Sequence, residues 1–220
     1  MALPLAAMVA GLGGCSGGSS MTGSMPAGVP VRSTRSIAVD ATDLSVDATT
    51  NLIKNGSFET PVVADGSLDR YAAPQKIGAW TVVGAGTVDV LQTDFQYDGY
   101  TFKALGGKQQ LDLTGASQDV TGVKQTIATT TGHVYTLSFF VGNVIDPNGG
   151  LGVSSTVDVS INGKQKFKAT NSKANQMNTP LWQKFTYKLT ASSTKTTIAF
   201  MNGDPPDDTY NGLDEVVLTF

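Results

Sequence analysis

Val157-Asp158-Val159-Ser160-Ile161-Asn162-Gly163 is the stretch that decides the fold class. Val157, Val159 and Ile161 fall on one side of an extended chain, and Asp158 and Ser160 on the other. That is the period-two pattern of a half-buried strand. Asn162-Gly163 follows at once; both residue types tolerate the positive φ that a type I′ turn demands at its central positions. Residues 165–170 then read as the return strand.

The same signature recurs on either side. Tyr135, Leu137, Phe139 and Val141 alternate with Val134, Thr136, Ser138 and Phe140. Phe185, Tyr187 and Leu189 alternate with Lys184, Thr186 and Lys188, and Ile198 and Phe200 follow the turn-like Ala191-Ser192-Ser193-Thr194. Residues 80–83, 87–91, 109–113 and 122–128 are further strand candidates. Helix signals are nearly absent from Leu52 onward. Roughly ten short strands broken by Gly, Asn, Asp and Pro predict an all-β fold, an antiparallel β-sandwich. In the closing strand, simple alternation puts Asp214, Val216, Leu218 and Phe220 on one face. A carboxylate among apolar neighbours is either solvated at the rim or inside and paired, because an unpaired buried charge is costly.

Bulk composition narrows the function classes. The 220 residues carry a net charge of -3, and the 15 Lys and Arg are scattered, so no basic patch points to nucleic acid. The single cysteine, Cys15, rules out an internal disulfide framework and a Cys-rich metal site. Residues 1–14 are short, apolar and rich in small residues. They are too few to span a bilayer, which takes roughly 20 apolar residues, and read as a signal peptide. Leu12-Gly13-Gly14-Cys15 resembles a bacterial lipobox, with Cys15 the lipidated residue, although no Lys or Arg precedes the apolar run. The alternative is a cleavable signal with an incidental cysteine. Residues 15–50 are then a Ser/Gly/Thr-rich tether behind the lipidated cysteine, with a reach of roughly 30–35 Å. Residues 51–220 form one domain. The expected location is the cell envelope, at the outer membrane or cell surface, with membrane contact through the lipid anchor only.

Several segments together resemble the DUF642 family, whose bacterial relatives include the choice-of-anchor C proteins. They are Asn51-Leu52-Ile53-Lys54-Asn55-Gly56-Ser57-Phe58-Glu59, Ile77-Gly78-Ala79-Trp80-Thr81-Val82, Val88-Asp89-Val90-Leu91 and Gln109-Gln110-Leu111-Asp112-Leu113-Thr114-Gly115. Val123-Lys124-Gln125-Thr126-Ile127, the strand around Tyr135 and Leu213-Asp214-Glu215-Val216-Val217-Leu218 continue the pattern. The resemblance implies a galactose-binding-domain-like jelly roll. It also implies a structural calcium held by Glu59 and Asp214, with backbone carbonyls completing the six to eight oxygens calcium takes. Glu215 departs from the family's usual Asn or Asp and, by alternation, faces the other way.

Catalysis has little support in the residues. The only histidine, His133, follows Gly132 at a strand start, and no serine sits in a Gly-x-Ser-x-Gly setting. The chain is not expected to be an enzyme. Sugar recognition has more. Asp94-Phe95-Gln96-Tyr97-Asp98-Gly99-Tyr100-Thr101-Phe102 interleaves aromatic and polar groups around a glycine and reads as a loop. Tyr97, Tyr100 and Phe102, together with Trp182, are the candidate ligand-binding residues. The alternative for each is a place at the edge of the core. Trp80 is assigned to the core, and the acidic turn from Asp204 to Asn211 to a solvated loop, with a second cation site or a sugar contact by Tyr210 and Asn211 as the alternative. The expected function is a surface-tethered, non-catalytic module that binds cell-wall or extracellular polysaccharide. The alternative is a structural module whose partner is an envelope protein; plant relatives of the family associate with the cell wall.

Overall fold

The computed structural model describes residues 50–116, 119–146, 150–173, 178–205 and 210–220. Cys15, the expected signal peptide and most of the expected tether lie outside the described residues, as does part of the acidic turn.

One six-stranded sheet runs β1 (Leu68–Ala72), β4 (Thr87–Gln92), β7 (Gln109–Asp112), β14 (Gly212–Thr219), β9 (Val134–Asn143), β12 (Leu181–Thr190). The other runs β11 (Lys164–Asn171), β10 (Ser155–Ile161), β13 (Lys195–Asn202), β8 (Thr121–Ala128), β3 (Trp80–Gly84), β2 (Lys76–Ile77). A separate two-stranded ribbon joins β5 (Phe95–Tyr97) to β6 (Tyr100–Phe102). Neighbouring strands pair antiparallel, and the two large sheets enclose one core in a jelly-roll-like sandwich. The alternation read from the sequence produces this directly. Val157, Val159 and Ile161 of β10 are buried, and the chain turns at Asn162 (φ 51°) and Gly163 (φ 76°) into β11.

Large side chains from both sheets meet in the middle. Phe139 meets Phe200 edge-on at 5.0 Å, and Phe200 meets Trp80 at 5.9 Å; such pairs add about 0.5–1.5 kcal/mol beyond their buried area. His133 stacks on Phe220 at 4.8 Å.

The two ends of the domain are laced together. Leu52 N donates to Leu218 O, and Val216 N to Gly56 O, each at 2.9 Å. Asn51 accepts from Leu218 N at 2.9 Å and donates to Val216 O at 3.2 Å. Position 56 requires glycine because a Cβ there would fall on the Val216 carbonyl oxygen.

The closing strand corrects the simple alternation. Glu215 has a φ of 51°, and the β14–β9 register shifts between Asp214 and Val217. This bulge adds a residue, so Leu213, Val216 and Leu218 all point into the core. Asp214 therefore leaves the face it would share with Val216.

Candidate functional site: a cavity under an aromatic ribbon

The stretch from Phe95 to Phe102 is a tight hairpin rather than a loop. Asp98 and Gly99 turn it, with φ values of 49° and 81°. Tyr97 pairs with Tyr100, and Phe95 with Phe102. Pairing and alternation put all four aromatics on one face of the ribbon. That face folds onto the first sheet, on the side away from the main core. Phe102, Leu91, Val144, Leu151 and Tyr210 form a second small core there, with Phe95 and Tyr100 packed against it. Phe102 lies 4.9 Å from Tyr210 and 6.0 Å from Phe95.

A continuous row of residues crosses the sheet beneath the ribbon. Arg70 pairs with Asp89, Asp89 with Asp112, Asp112 with Gly212, Gly212 with Gly142, and Gly142 with Trp182. Residues in one register row project from the same face. The row thus carries charge at one end and bare backbone in the middle. The glycines make room for rings: a Cβ on Gly142 would come within 2.9 Å of both the Trp182 ring and the Tyr210 hydroxyl.

At the charged end a cavity of about 250 Å³ opens between sheet and ribbon. Phe95, Tyr97, Phe102, Leu91 and Tyr210 supply its apolar lining, and Arg70, Asp89 and Asp112 its charged groups. Arg70 grips Asp89 with two bonds, Nε to Oδ1 at 2.8 Å and Nη2 to Oδ2 at 2.7 Å. This hydrogen-bonded pairing raises the Arg70 pKa above its ordinary value. Asp112 is bound through one oxygen only. Its Oδ1 accepts from Thr114 N at 3.0 Å, Thr114 Oγ1 at 2.8 Å and Asn211 N at 3.0 Å. Burial pushes the Asp112 carboxyl up to about 7, against these hydrogen bonds, and nearby Asp89 adds to the rise. Burial also raises the Tyr210 phenol, whose hydroxyl donates to Gln110 Oε1 at 2.6 Å.

The four aromatics named from the sequence separate here. Tyr97 and Phe102 line the cavity, Tyr97 exposed at 61% and Phe102 buried at 3%. Tyr100 turns aside and donates its hydroxyl to Asp146 Oδ1 at 3.2 Å. Trp182 lies beyond the cavity, over Gly142, with Nε1 donating to Lys103 O at 3.2 Å. The sequence reading missed Arg70, Asp89 and Asp112, and reached Tyr210 only as the alternative to a solvated loop. A signal for one of them existed: Asp89 interrupts the apolar run from Val88 to Leu91, whereas the strand of Asp112, Gln-Gln-Leu-Asp, is largely polar and gives none.

Glu59 and Asp214 belong to a different place. Asp214 is fully buried, and its Oδ2 accepts from Leu105 N at 2.9 Å and Gly106 N at 3.2 Å. Glu59 Oε1 accepts from Lys108 N at 2.8 Å and Gln109 N at 2.9 Å. Glu215 does not face away: a Cβ on Gly106 would collide with its carboxylate, so it covers the same loop. Burial pushes the Asp214 carboxyl up to about 7. Among the described residues, no group of three or more His, Cys, Asp or Glu is placed to hold a metal ion. The donor chemistry nevertheless suits a hard cation. Among the described residues, Glu59 Oε2 has no bond partner and Asp214 has no cationic one. Backbone carbonyls would have to supply most of the shell.

The family model described as "Protein of unknown function (DUF642)" matches residues 51–218. No curated protein matches the chain. Among solved structures, the chain is similar to a cyclase from Fischerella sp. TAU, at 18% identity over 78% of this chain and 97% of that one, with a TM-score of 0.54. It is also similar to the Stig cyclase Fisc from the same source, bound to (3Z)-3-(1-methyl-2-pyrrolidinylidene)-3H-indole, at 19% identity over 78% and 96% of the two chains, with a TM-score of 0.53. At these identities the likeness speaks to the sandwich fold alone. A structure described as "CBM4 structure and function" lies further off, at 20% identity over 76% and 98% of the chains, with a TM-score of 0.40.

Proposed function

We propose, for a chain that belongs to the DUF642 family, that it is a non-catalytic carbohydrate-binding module acting at the cell envelope. The observation that carries the reading is the cavity under the β5–β6 ribbon, where exposed Tyr97 and the aromatic lining stand beside charged groups. Aromatic faces take the apolar faces of sugar rings, and a few fixed polar groups orient hydroxyls. The cavity volume of about 250 Å³ suits one ring or a chain end rather than a long polymer stretch.

Two further elements belong to the proposal. Calcium would sit by Glu59 and Asp214 and supply charge compensation to a loop those side chains already hold through its amides. Its role is stability, through preferential binding to the folded state. Cys15 would carry the lipid that keeps the module at the surface, where tethering raises the local concentration of a weak single site.

Affinity electrophoresis through gels containing cell-wall or extracellular polysaccharides tests the sugar reading. Wild type is expected to be retarded in at least one gel and Tyr97→Ala to run freely in it. Equal mobility of both in every gel contradicts the reading.

A further inference from the structure

We propose that the glycan taken by the cavity carries a free amino group, its ammonium held between the Asp112 carboxylate and the aromatic lining of Phe95, Tyr97, Phe102 and Tyr210. The inference rests on the carbohydrate reading above and names the class of sugar.

The position of Asp112 carries it. The residue is 6% exposed, lines the cavity and is locked through Oδ1 by three donors. Its Oδ2 accepts no hydrogen bond, so one oxygen of a rigid carboxylate is left for a ligand. The nearby cation is already committed: Arg70 gives both its bonds to Asp89. Among the described lining residues, two carboxylates thus face one guanidinium, and no lysine joins them. A buried charge without a partner is expensive, so the free carboxyl keeps its proton and ionises when a cation arrives to pair with it. A sugar hydroxyl would give Asp112 a hydrogen bond but no countercharge. An ammonium gives both, and aromatic faces attract cations as well, by about 0.5–2 kcal/mol. N-acetylation would remove the charge and add bulk, so the same cavity discriminates against the acetylated sugar.

Proton linkage follows from the same geometry. The groups facing Asp112 are Asp89 from β4, Arg70 from β1, and the phenols of Tyr97 and Tyr210. Free Asp112 holds its proton up to about pH 7. A bound ammonium draws that proton off, so binding releases a proton in mildly acid buffer and tightens as pH rises from about 5 to 7.

The test is calorimetric titration of the full chain with three matched oligosaccharides: fully de-N-acetylated glucosamine oligomers, their N-acetylated forms and neutral glucose oligomers. The glucosamine oligomers are expected to bind about tenfold or more tighter than either control. Asp112→Asn is expected to remove that preference. Heats should differ between buffers of different ionisation enthalpy at pH 6. Tyr97→Ala, at an exposed position, serves as a second variant that leaves folding intact. If acetylated or neutral oligomers bind as well and Tyr97→Ala removes them, the amino-sugar inference falls while the carbohydrate reading stands. Retained preference in Asp112→Asn also overturns the inference. If no oligosaccharide in these series or in the gels binds, both readings fall.

Discussion

Asp214 and Glu59 hold opposite ends of one loop. Asp214 takes the amides of Leu105 and Gly106, and Glu59 those of Lys108 and Gln109. The loop between β6 and β7 is thereby fastened to the first and last segments of the domain, which are themselves bonded to each other. A carboxylate accepting two backbone N–H groups makes charge-assisted bonds, stronger than neutral ones.

Removing that anchor should therefore cost stability. Glu59→Ala is expected to lose about 1–3 kcal/mol, read as a lowered urea midpoint. If calcium also sits there, EDTA will lower the wild-type melting temperature and leave that of Glu59→Ala unchanged. An EDTA effect of equal size in both proteins would place the ion elsewhere.

Gly56→Ala probes the junction of the two chain ends. The added methyl meets the Val216 carbonyl oxygen, whose residue also donates to Gly56 O. Overpacking of this kind costs about 1–3 kcal/mol. Thermal melting would show it, and an unchanged midpoint would mean that the bulge at Glu215 relaxes without penalty.

Asp112 gives stability a pH dependence of definite sign. Its folded pKa of about 7 lies above the ordinary carboxylate value of 3.8, so between those limits the folded state holds a proton that the unfolded state has lost. Stability without ligand should fall as pH rises through that window, by a few kcal/mol at most. Asp214, raised for the same reason, adds in the same direction. Urea titrations at pH 4.5 and 7.5 should show a smaller difference for Asp112→Asn than for wild type.

Phe102 and Tyr97 should behave oppositely although both line the cavity. Phe102 is buried against Tyr210, so Phe102→Ala should cost roughly 3–5 kcal/mol. Tyr97→Ala should change stability by less than about 0.5 kcal/mol, because the ring is 61% exposed. Its effect belongs in glycan binding. Melting and affinity gels on the two variants separate the roles.

Much of the sandwich was legible because alternation is a local signal, and strands such as those of Val157 and Tyr135 kept it over several residues. Asn162-Gly163 marked its turn outright. Asp98-Gly99 carries the same signal, but the strands beside it are only three residues long, too short for alternation to distinguish a hairpin from a loop. The bulge was not legible: nothing in Leu213 to Leu218 announces that Glu215 takes a positive φ, and one added residue moves Asp214 off the face it was given. The cavity was the hardest feature to foresee. Arg70, Asp89 and Asp112 are far apart in sequence and become neighbours only through the pairing order β1–β4–β7. On a strand with one buried face, an isolated Asp reads as solvated until a ribbon is known to cover it.

The most direct test of the account is amide chemical-shift mapping of the full chain during titration with the polysaccharide fragment that retards it most in affinity gels. The account predicts saturable shifts confined to β1, β4, β7 and the β5–β6 ribbon, centred on Asp89, Asp112 and Tyr97, and absent in Tyr97→Ala. Saturable shifts elsewhere on the sandwich, with these residues unmoved, would contradict it.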